Sequence, residues 1–325
     1  MPKVGLKLVL LLSHSRALHS LVFSVILSLA APSVAASETA NQLLAKMLNA
    51  GEQLSYKGVF TYQAGRTMNT IKLIHANRDG VVYERLYHMT GPRREVIRHG
   101  VSCHAAGVGR LLASLDAIGR DSSFSDHYQL HIGDKQRVAG RQITQLQVIP
   151  NDADRFGYIL GIDNKTGLML QAMLVSEQRQ VLELFQFVDV EIGALIEDAE
   201  LMPSNANYQD ANEDGDCAGS EAQQQTAVAW RPSWVPPGFE LTGSHREKDD
   251  AKEVLTYSDG IAVFSLFIDP VSSVMLPPAV NARAGATSLA LEKVQAQGRE
   301  YAVSVVGEIP ELTARRIAQS VVYAQ

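Results

Sequence analysis

The sequence predicts an α+β protein in two parts, both dominated by antiparallel strands, and three observations carry that expectation. Residues 138–187 read as consecutive strand-like segments joined by short polar turns. Residues 202–226 are too polar and acidic to form a core element and divide the chain. Helical spacing is clear over Glu38–Leu54 and again after Pro310.

The segments of the central run are Arg141–Pro150, Phe156–Asp163, Leu168–Glu177 and Val181–Val190. Asn151-Asp152-Ala153-Asp154, Asn164-Lys165-Thr166-Gly167 and Gln178-Arg179-Gln180 separate them, and a closing glycine supplies the positive φ that a tight hairpin needs. Apolar residues occupy both faces of the later strands. Leu168, Leu170 and Leu174 oppose Met169, Met173 and Val175, and Leu182, Leu184 and Val188 oppose Phe185 and Phe187. A sheet wetted on one face alternates apolar with polar. Here both faces need cover, either from ordinary packing or because one face is concave and holds an apolar ligand.

Residues 1–36 read as a secretory signal peptide. Lys3, Lys7 and Arg16 precede an apolar stretch over 21–31, and Ser33-Val34-Ala35-Ala36 offers a cleavage site near Ala36. The expected product is an exported, periplasmic chain. Its loss removes three cations and no anion, taking the net charge from −6 to −9. That acidity argues against a nucleic-acid partner, whose phosphates require a cationic surface. In an oxidising compartment the two cysteines, Cys103 and Cys217, form a candidate disulfide, with two separate thiols as the alternative.

The first domain is expected over 37–201. Its opening helix carries Ala40, Leu43, Leu44, Met47 and Leu48 on one face, with Gly51 near the end. Strands are expected at Lys57–Gln63, Thr70–Ala76, Val81–Met89, Arg94–Arg98, Val101–Ala105 and His127–Gly133. Between the last two, Leu111, Leu112, Leu115 and Ile118 suit a short helix or flap. After an acidic linker over 202–226, a smaller α+β domain fills 227–325. Asp259-Gly260 marks a hairpin between Val254–Tyr257 and Ile261–Ile268. Gln297-Gly298 marks another between Ser288–Val294 and Tyr301–Val306. Pro310 opens a helix with Ala314, Ile317, Ala318 and Val321 on one side.

No motif points to catalysis, a cofactor or a metal. Asp210, Asn212, Asp214, Gly215 and Glu221 satisfy an EF-hand loop pattern, but no amphipathic helix flanks it and Ala218 leaves one ligand position empty. His127 and His131, four apart on an expected strand, lie roughly 13 Å apart, too far to share an ion. Arg93, Arg94 and Arg98, with Arg78 and Arg85 on earlier strands, form a basic cluster. It suits either a solvated edge paired with Glu84 and Glu95 or an anion site for phosphate or carboxylate.

Five stretches carry a resemblance to a known family. They are Gly91-Pro92-Arg93-Arg94-Glu95-Val96, Arg155-Phe156-Gly157-Tyr158, Leu182-Glu183-Leu184-Phe185-Gln186-Phe187, Trp234-Val235-Pro236-Pro237-Gly238-Phe239 and Val305-Val306-Gly307-Glu308-Ile309-Pro310. Together they resemble RseB/MucB, periplasmic negative regulators of the envelope-stress sigma factor σE (AlgU). The acidic linker departs from the family's pattern, and the cysteine pair is not a requirement of it. The resemblance implies a half-open β-barrel like the lipoprotein carriers, with a helix against its concave side, and a smaller second domain. It implies binding of the periplasmic domain of a membrane anti-sigma factor (RseA/MucA), protection of that partner from site-1 cleavage, and release by lipopolysaccharide or related lipid. Self-association is left open. On this reading Tyr158, Leu160, Leu170 and Phe187 line an acyl-chain wall, and Arg93, Arg94 and Arg98 recognise phosphate. Trp230, Trp234 and Phe239 then mark the partner surface, which takes in the second domain and the interdomain cleft. The competing expectations are a periplasmic lipid or lipoprotein carrier without an anti-sigma partner, and a hydrolase, for which no nucleophile–base signature is present.

Overall fold

Two antiparallel sheets, each built on its own apolar core, organise the protein. The structure is a computed structural model that describes residues 39–100, 124–204, 208–210, 228–246, 252–271 and 280–323. Residues 38–325 form one compact unit. The signal segment, both cysteines, the expected strand at Val101–Ala105 and most of the EF-hand-like stretch lie outside the described residues.

Helix α1 (Ala40–Gln53) opens the first domain. Thr39 caps it in a reciprocal box: its hydroxyl accepts from the Gln42 amide, and the Gln42 side chain accepts from the Thr39 amide. Leu43, Leu44 and Met47 face inward, as their spacing requires.

The sheet beneath contains β1 (Tyr56–Ala64), β2 (Thr67–Arg78), β3 (Val81–His88), β4 (Glu95–His99), β5 (Tyr128–Val138), β6 (Arg141–Pro150), β7 (Gly157–Asp163), β8 (Met169–Val175), β9 (Val181–Ile192) and β10 (Gln209–Asp210). Two short helical turns, α2 (Phe124–His127) and α3 (Asp198–Leu201), flank it. The strand order is β10-β4-β3-β2-β1-β9-β8-β7-β6-β5. All neighbours are antiparallel except β10 on β4. β10 and β5 are the two edges, so the sheet is open rather than a closed ring. The meander returns to the beginning of the domain because β9 extends to Ile192, opposite Tyr56. His127 ends α2 instead of entering a strand, a correction to the expected His127–Gly133 segment that places only His131 on β5.

Register decides which side chains share a face. Leu146 lies opposite Leu160, Leu160 opposite Ala172, Ala172 opposite Phe185, and Phe187 opposite Phe60. These inner-face residues and α1 form the main core. On the outer face, Ile159, Met173 and Leu184 are in register and half-buried. A second row there is polar, with Gln171 donating to Gln186 at 2.7 Å. The two-sided apolar pattern therefore resolves into a packed inner face and a half-exposed outer stripe.

The second domain holds β11 (Trp230–Pro232), β12 (Glu240–Arg246), β13 (Glu253–Ser258), β14 (Val263–Pro270), β15 (Val280–Ala284), β16 (Thr287–Ala296), β17 (Arg299–Gly307), helix α4 (Glu311–Gln319) and β18 (Val321–Tyr323). Six strands are ordered β12-β13-β14-β17-β16-β15, while β11 and β18 pair separately. Helix α4 buries Ala314, Ile317 and Ala318 in the core that Phe264, Leu266, Val303 and Val305 supply. Gln297 and Gly298, at φ 51° and 73°, make the two-residue turn expected between β16 and β17. The other hairpin differs from expectation. Ile261 belongs to the turn, because β14 starts at Val263, and the isoleucine is spent on the first domain's core.

Candidate functional site at the domain junction

The second domain docks through the tips of two of its hairpins. Ile261, from the β13–β14 turn, and Ala286, from the β15–β16 turn, are buried in the first domain's core cluster. Each carries a carboxylate contact with it.

Arg155 sits in the connection between β6 and β7. Asp152 organises this turn, its Oδ1 accepting from the Asp154 amide at 2.9 Å and from Arg155 Nε at 3.1 Å. The guanidinium then points across the junction. Nη1 donates to Asp259 Oδ2 at 2.7 Å and Nη2 to the Pro237 carbonyl at 2.5 Å. Its central carbon lies 5.5 Å from the Tyr128 ring centre and 5.2 Å from that of Phe239, positions that suit a cation against aromatic faces. Both charged side chains of the Arg155–Asp259 pair are 0% exposed.

Asp259 is satisfied from four directions. Oδ1 accepts from the amides of Ile261 and Ala262, at 3.0 and 2.7 Å. Oδ2 accepts from Arg155 and from the Tyr128 hydroxyl at 2.9 Å. A buried carboxylate needs this many donors to offset the loss of its water. Burial pushes the Tyr128 hydroxyl well up, and the Asp259 charge adds to it. For Arg155, burial opposes the charge, but Asp259, Tyr128 and Asp152 together hold its pKa above the ordinary value.

The second carboxylate points the opposite way. Glu183 on β9 accepts from the Tyr62 hydroxyl at 2.6 Å and from the Ala286 amide at 3.1 Å. Gly65 and Gly285, both at positive φ, bring the two backbones together here: a methyl group on Gly65 would lie 3.2 Å from the Gly285 nitrogen. At the far side Thr313, in α4, donates to Asp154 at 2.8 Å. Gly238 fits flat against His127, where an added Cβ would come 2.1 Å from the imidazole Nε2. Beside this junction a cavity of about 410 Å³ opens between Thr39–Asn41, Phe124 and β5. Tyr128 lines it while its hydroxyl reaches Asp259, and Phe124 stacks on the Tyr128 ring at 5.2 Å.

Tyr158, Leu160, Leu170 and Phe187 all lie on the inner face and are fully packed in the core with α1. Tyr158 also borders the junction: burial raises its hydroxyl pKa strongly, and the charges of Glu308, Asp259 and Glu183 add to the rise. The arginines are dispersed. Arg93 and Arg94 are exposed before β4, and Arg94 donates to Gln209 at 2.8 Å. Arg98 is largely buried and pairs with Glu84 at 3.4 Å. Glu84 also meets His75 Nδ1 at 2.9 Å. Arg98 Nε and His75 Nε2 are buried without a hydrogen-bond partner. Arg85 turns to the outer face, where it pairs with Glu95 at 2.6 Å and donates to the Glu200 carbonyl. Arg78 pairs with Asp198.

Of the three aromatic residues expected at a partner surface, Trp230 is in the second domain's core, its ring 4.8 Å from that of Tyr301. Phe239 is buried against Phe264 and under Arg155. Trp234 is half-buried, with the Arg316 guanidinium 3.6 Å above its ring. Among the described residues no group of acidic, histidine or cysteine side chains is arranged to hold a metal ion.

Sequence reasoning missed the junction itself. Asp259-Gly260 signalled a hairpin and Arg155 stood in a family-like stretch, yet 104 residues separate this pair, and nothing in local spacing couples them.

The fold and its junction define a two-domain α+β protein, a small second domain latched through buried charges to the end of an open antiparallel sheet. Residues 39–205 match the MucB/RseB N-terminal domain and residues 224–322 the MucB/RseB C-terminal domain. The chain belongs to the MucB/RseB family. It is 34% identical over 304 residues to the sigma factor AlgU regulatory protein MucB of Pseudomonas aeruginosa, covering 90% of this chain and 93% of that one. The sigma-E factor regulatory protein RseB of Haemophilus influenzae is 26% identical over 311 residues, 91% of this chain and 95% of the relative. Among solved structures, MucB in complex with MucA(peri) superposes with a TM-score of 0.72 at 34% identity, covering 88% of this chain and all of that one. MucB gives 0.58 at 33% identity, covering 88% of this chain and 98% of that one.

Proposed function

We propose that the chain is a non-enzymatic, periplasmic negative regulator of an envelope-stress sigma factor, processed near Ala36. It binds the periplasmic domain of a membrane anti-sigma factor and shields it from the first proteolytic cut. Lipopolysaccharide or a related lipid releases the complex. The observation that carries this reading is continuity: family membership runs through both domains, and the MucB relative it resembles at 34% identity has been captured with MucA(peri). The boundaries we assign are 37–201 for the first domain, 202–226 for the linker and 227–325 for the second domain.

Within this reading the inner face around Tyr158, Leu160, Leu170 and Phe187 supplies the acyl-chain wall. Because α1 packs in the same core, lipid entry requires the helix or these side chains to part. Arg93 and Arg94, exposed at the β4 edge, are the accessible part of the phosphate site, and Arg98 reaches it only by leaving Glu84. Half-buried Trp234, covered by Arg316, is the accessible aromatic feature of the partner surface, while Trp230 and Phe239 support it from within. A Cys103–Cys217 disulfide completes the proposal.

The test is a protease-protection assay on the anti-sigma periplasmic domain, with and without lipopolysaccharide. The expected result is protection by this chain and its loss on adding lipid. Lipid binding without protection would replace this reading with that of a lipid carrier.

A further inference from the structure

The junction's construction is unusual for a flexible linkage between domains, which ordinarily resembles a transient, polar interface. Here each domain buries a carboxylate that accepts from the other. Asp259 of the second domain takes Arg155 and Tyr128 from the first, and Glu183 of the first takes the Ala286 amide of the second. Ile261 and Ala286 sit in the opposite domain's core. Gly65 meets Gly285 closely, an added Cβ lying 3.2 Å from its nitrogen, and at Gly238 a Cβ would collide with His127. Charge pairs of this kind fix geometry better than they add stability, because desolvation offsets most of their attraction. An apolar junction would tolerate sliding; two crossed, hydrogen-bonded carboxylates permit one register. At nearly equal identity and coverage, this chain superposes with a TM-score of 0.72 on MucB with MucA(peri) and 0.58 on MucB, a difference between those two structures.

We infer that Arg155 and Asp259, with Tyr128 and Glu183, are positioning residues that hold the two domains in the arrangement competent to capture the anti-sigma partner. This rests on the partner reading above. The residues touch no partner; they fix the relative placement of the two surfaces that do. When only a fraction of molecules holds the capture-competent arrangement, the apparent affinity falls by that fraction.

The experiment uses the mature chain with Cys103 and Cys217 changed to Ser, dyes at Val181→Cys and Val322→Cys, and the periplasmic domain of the anti-sigma factor as probe. Arg155→Met and the charge-free pair Arg155→Met/Asp259→Leu should both broaden the interdomain distance distribution by energy transfer. Both should weaken capture tenfold or more. In a separate series without dyes, the adjacent pair Asp154→Cys/Thr313→Cys is joined by a short thiol cross-linker. Cross-linking should restore capture to the Arg155→Met variant and leave the otherwise wild-type chain binding at full affinity. Latch variants with a changed distance distribution but wild-type capture would overturn the inference, as would loss of capture by the cross-linked wild-type arrangement. The latter arm decides the matter even if Arg155→Met does not fold. Failure of the unmodified chain to capture the probe would instead remove the partner reading, leaving the latch to be judged by distances alone.

Discussion

Arg155 shows how much one buried ion costs when its partner is removed. Its guanidinium is fully enclosed and is matched by Asp259, Asp152 and the Pro237 carbonyl. Arg155→Met should therefore lower unfolding stability by about 3–5 kcal/mol, because Asp259 is left buried without its cationic partner. Arg155→Met/Asp259→Leu removes the unpaired carboxylate but leaves the Ile261 and Ala262 amides and the Tyr128 hydroxyl without their acceptor, so in urea titrations it should recover only part of that loss. A second residue-scale expectation concerns acid. Burial works to raise Asp163, but hydrogen bonds from Arg141 and Thr166 and the Arg141 charge outweigh it, so its pKa is lowered. Burial likewise opposes the charge of Glu84, and His75 and Arg98 overcome it. A carboxylate held below its unfolded value, about 4, contributes stability above that pH and loses it as pH falls through the folded value. Stability set by these groups should be flat from neutral pH to about 5 and fall below about 4. Asp163→Asn should lower stability at pH 7 and make the acid limb of the curve shallower.

At the scale of elements, glycines separate positions chosen for space from positions left unoptimised. Gly51 lies within α1, and a Cβ there would meet nothing within 4 Å. Gly51→Ala should stabilise the protein by roughly 0.5–1 kcal/mol through the entropy of the unfolded chain. Gly307, on β17, faces the backbone of Phe264, where a Cβ would come 2.4 Å from the Phe264 Cβ. The strands pair at this point, so neither can withdraw without breaking the ladder. Gly307→Ala should cost about 1–3 kcal/mol or more, and thermal melts of the two variants should move in opposite directions. Legibility follows the same division. Helix α1, the β6–β9 run and α4 were readable because each has a regular apolar period and its own turn or cap residues. The expected strand start at Ile261 fails because Asp259-Gly260 suggests a two-residue turn, whereas Ser258 pairs with Val263 and the turn runs over four residues, with the Ile261 side chain claimed by the other domain.

Residues 38–325 form one compact unit although the two domains have separate main sheets. Ile261 and Ala286 complete the first domain's core, so the domains should unfold together. Calorimetry of the mature chain should give a single transition whose calorimetric and van't Hoff enthalpies agree. A chain ending at residue 226 should be less stable than the first domain within the full protein and should bind a hydrophobic dye, because the inner face loses that cover. Two separate transitions with unchanged midpoints would contradict this account. Loss of partner capture on such truncation would accordingly combine a missing surface with an opened core, which is why the cross-linked and point variants are the sharper tools.

By itself the sequence determined what depends on near neighbours: the strand-rich α+β class, the amphipathic opening helix and the family stretches around Arg155 and Trp234. Local periodicity and turn chemistry are written in a few consecutive residues, so they are readable there. Only the tertiary structure decided that the inner face is packed, that Arg98 and Arg85 turn to opposite faces, that Trp230 and Phe239 are interior, and that Arg155 meets Asp259. Those outcomes depend on which strands become neighbours and which surfaces lose water together. Burial gives an arginine its partner, and burial is a property of the folded whole.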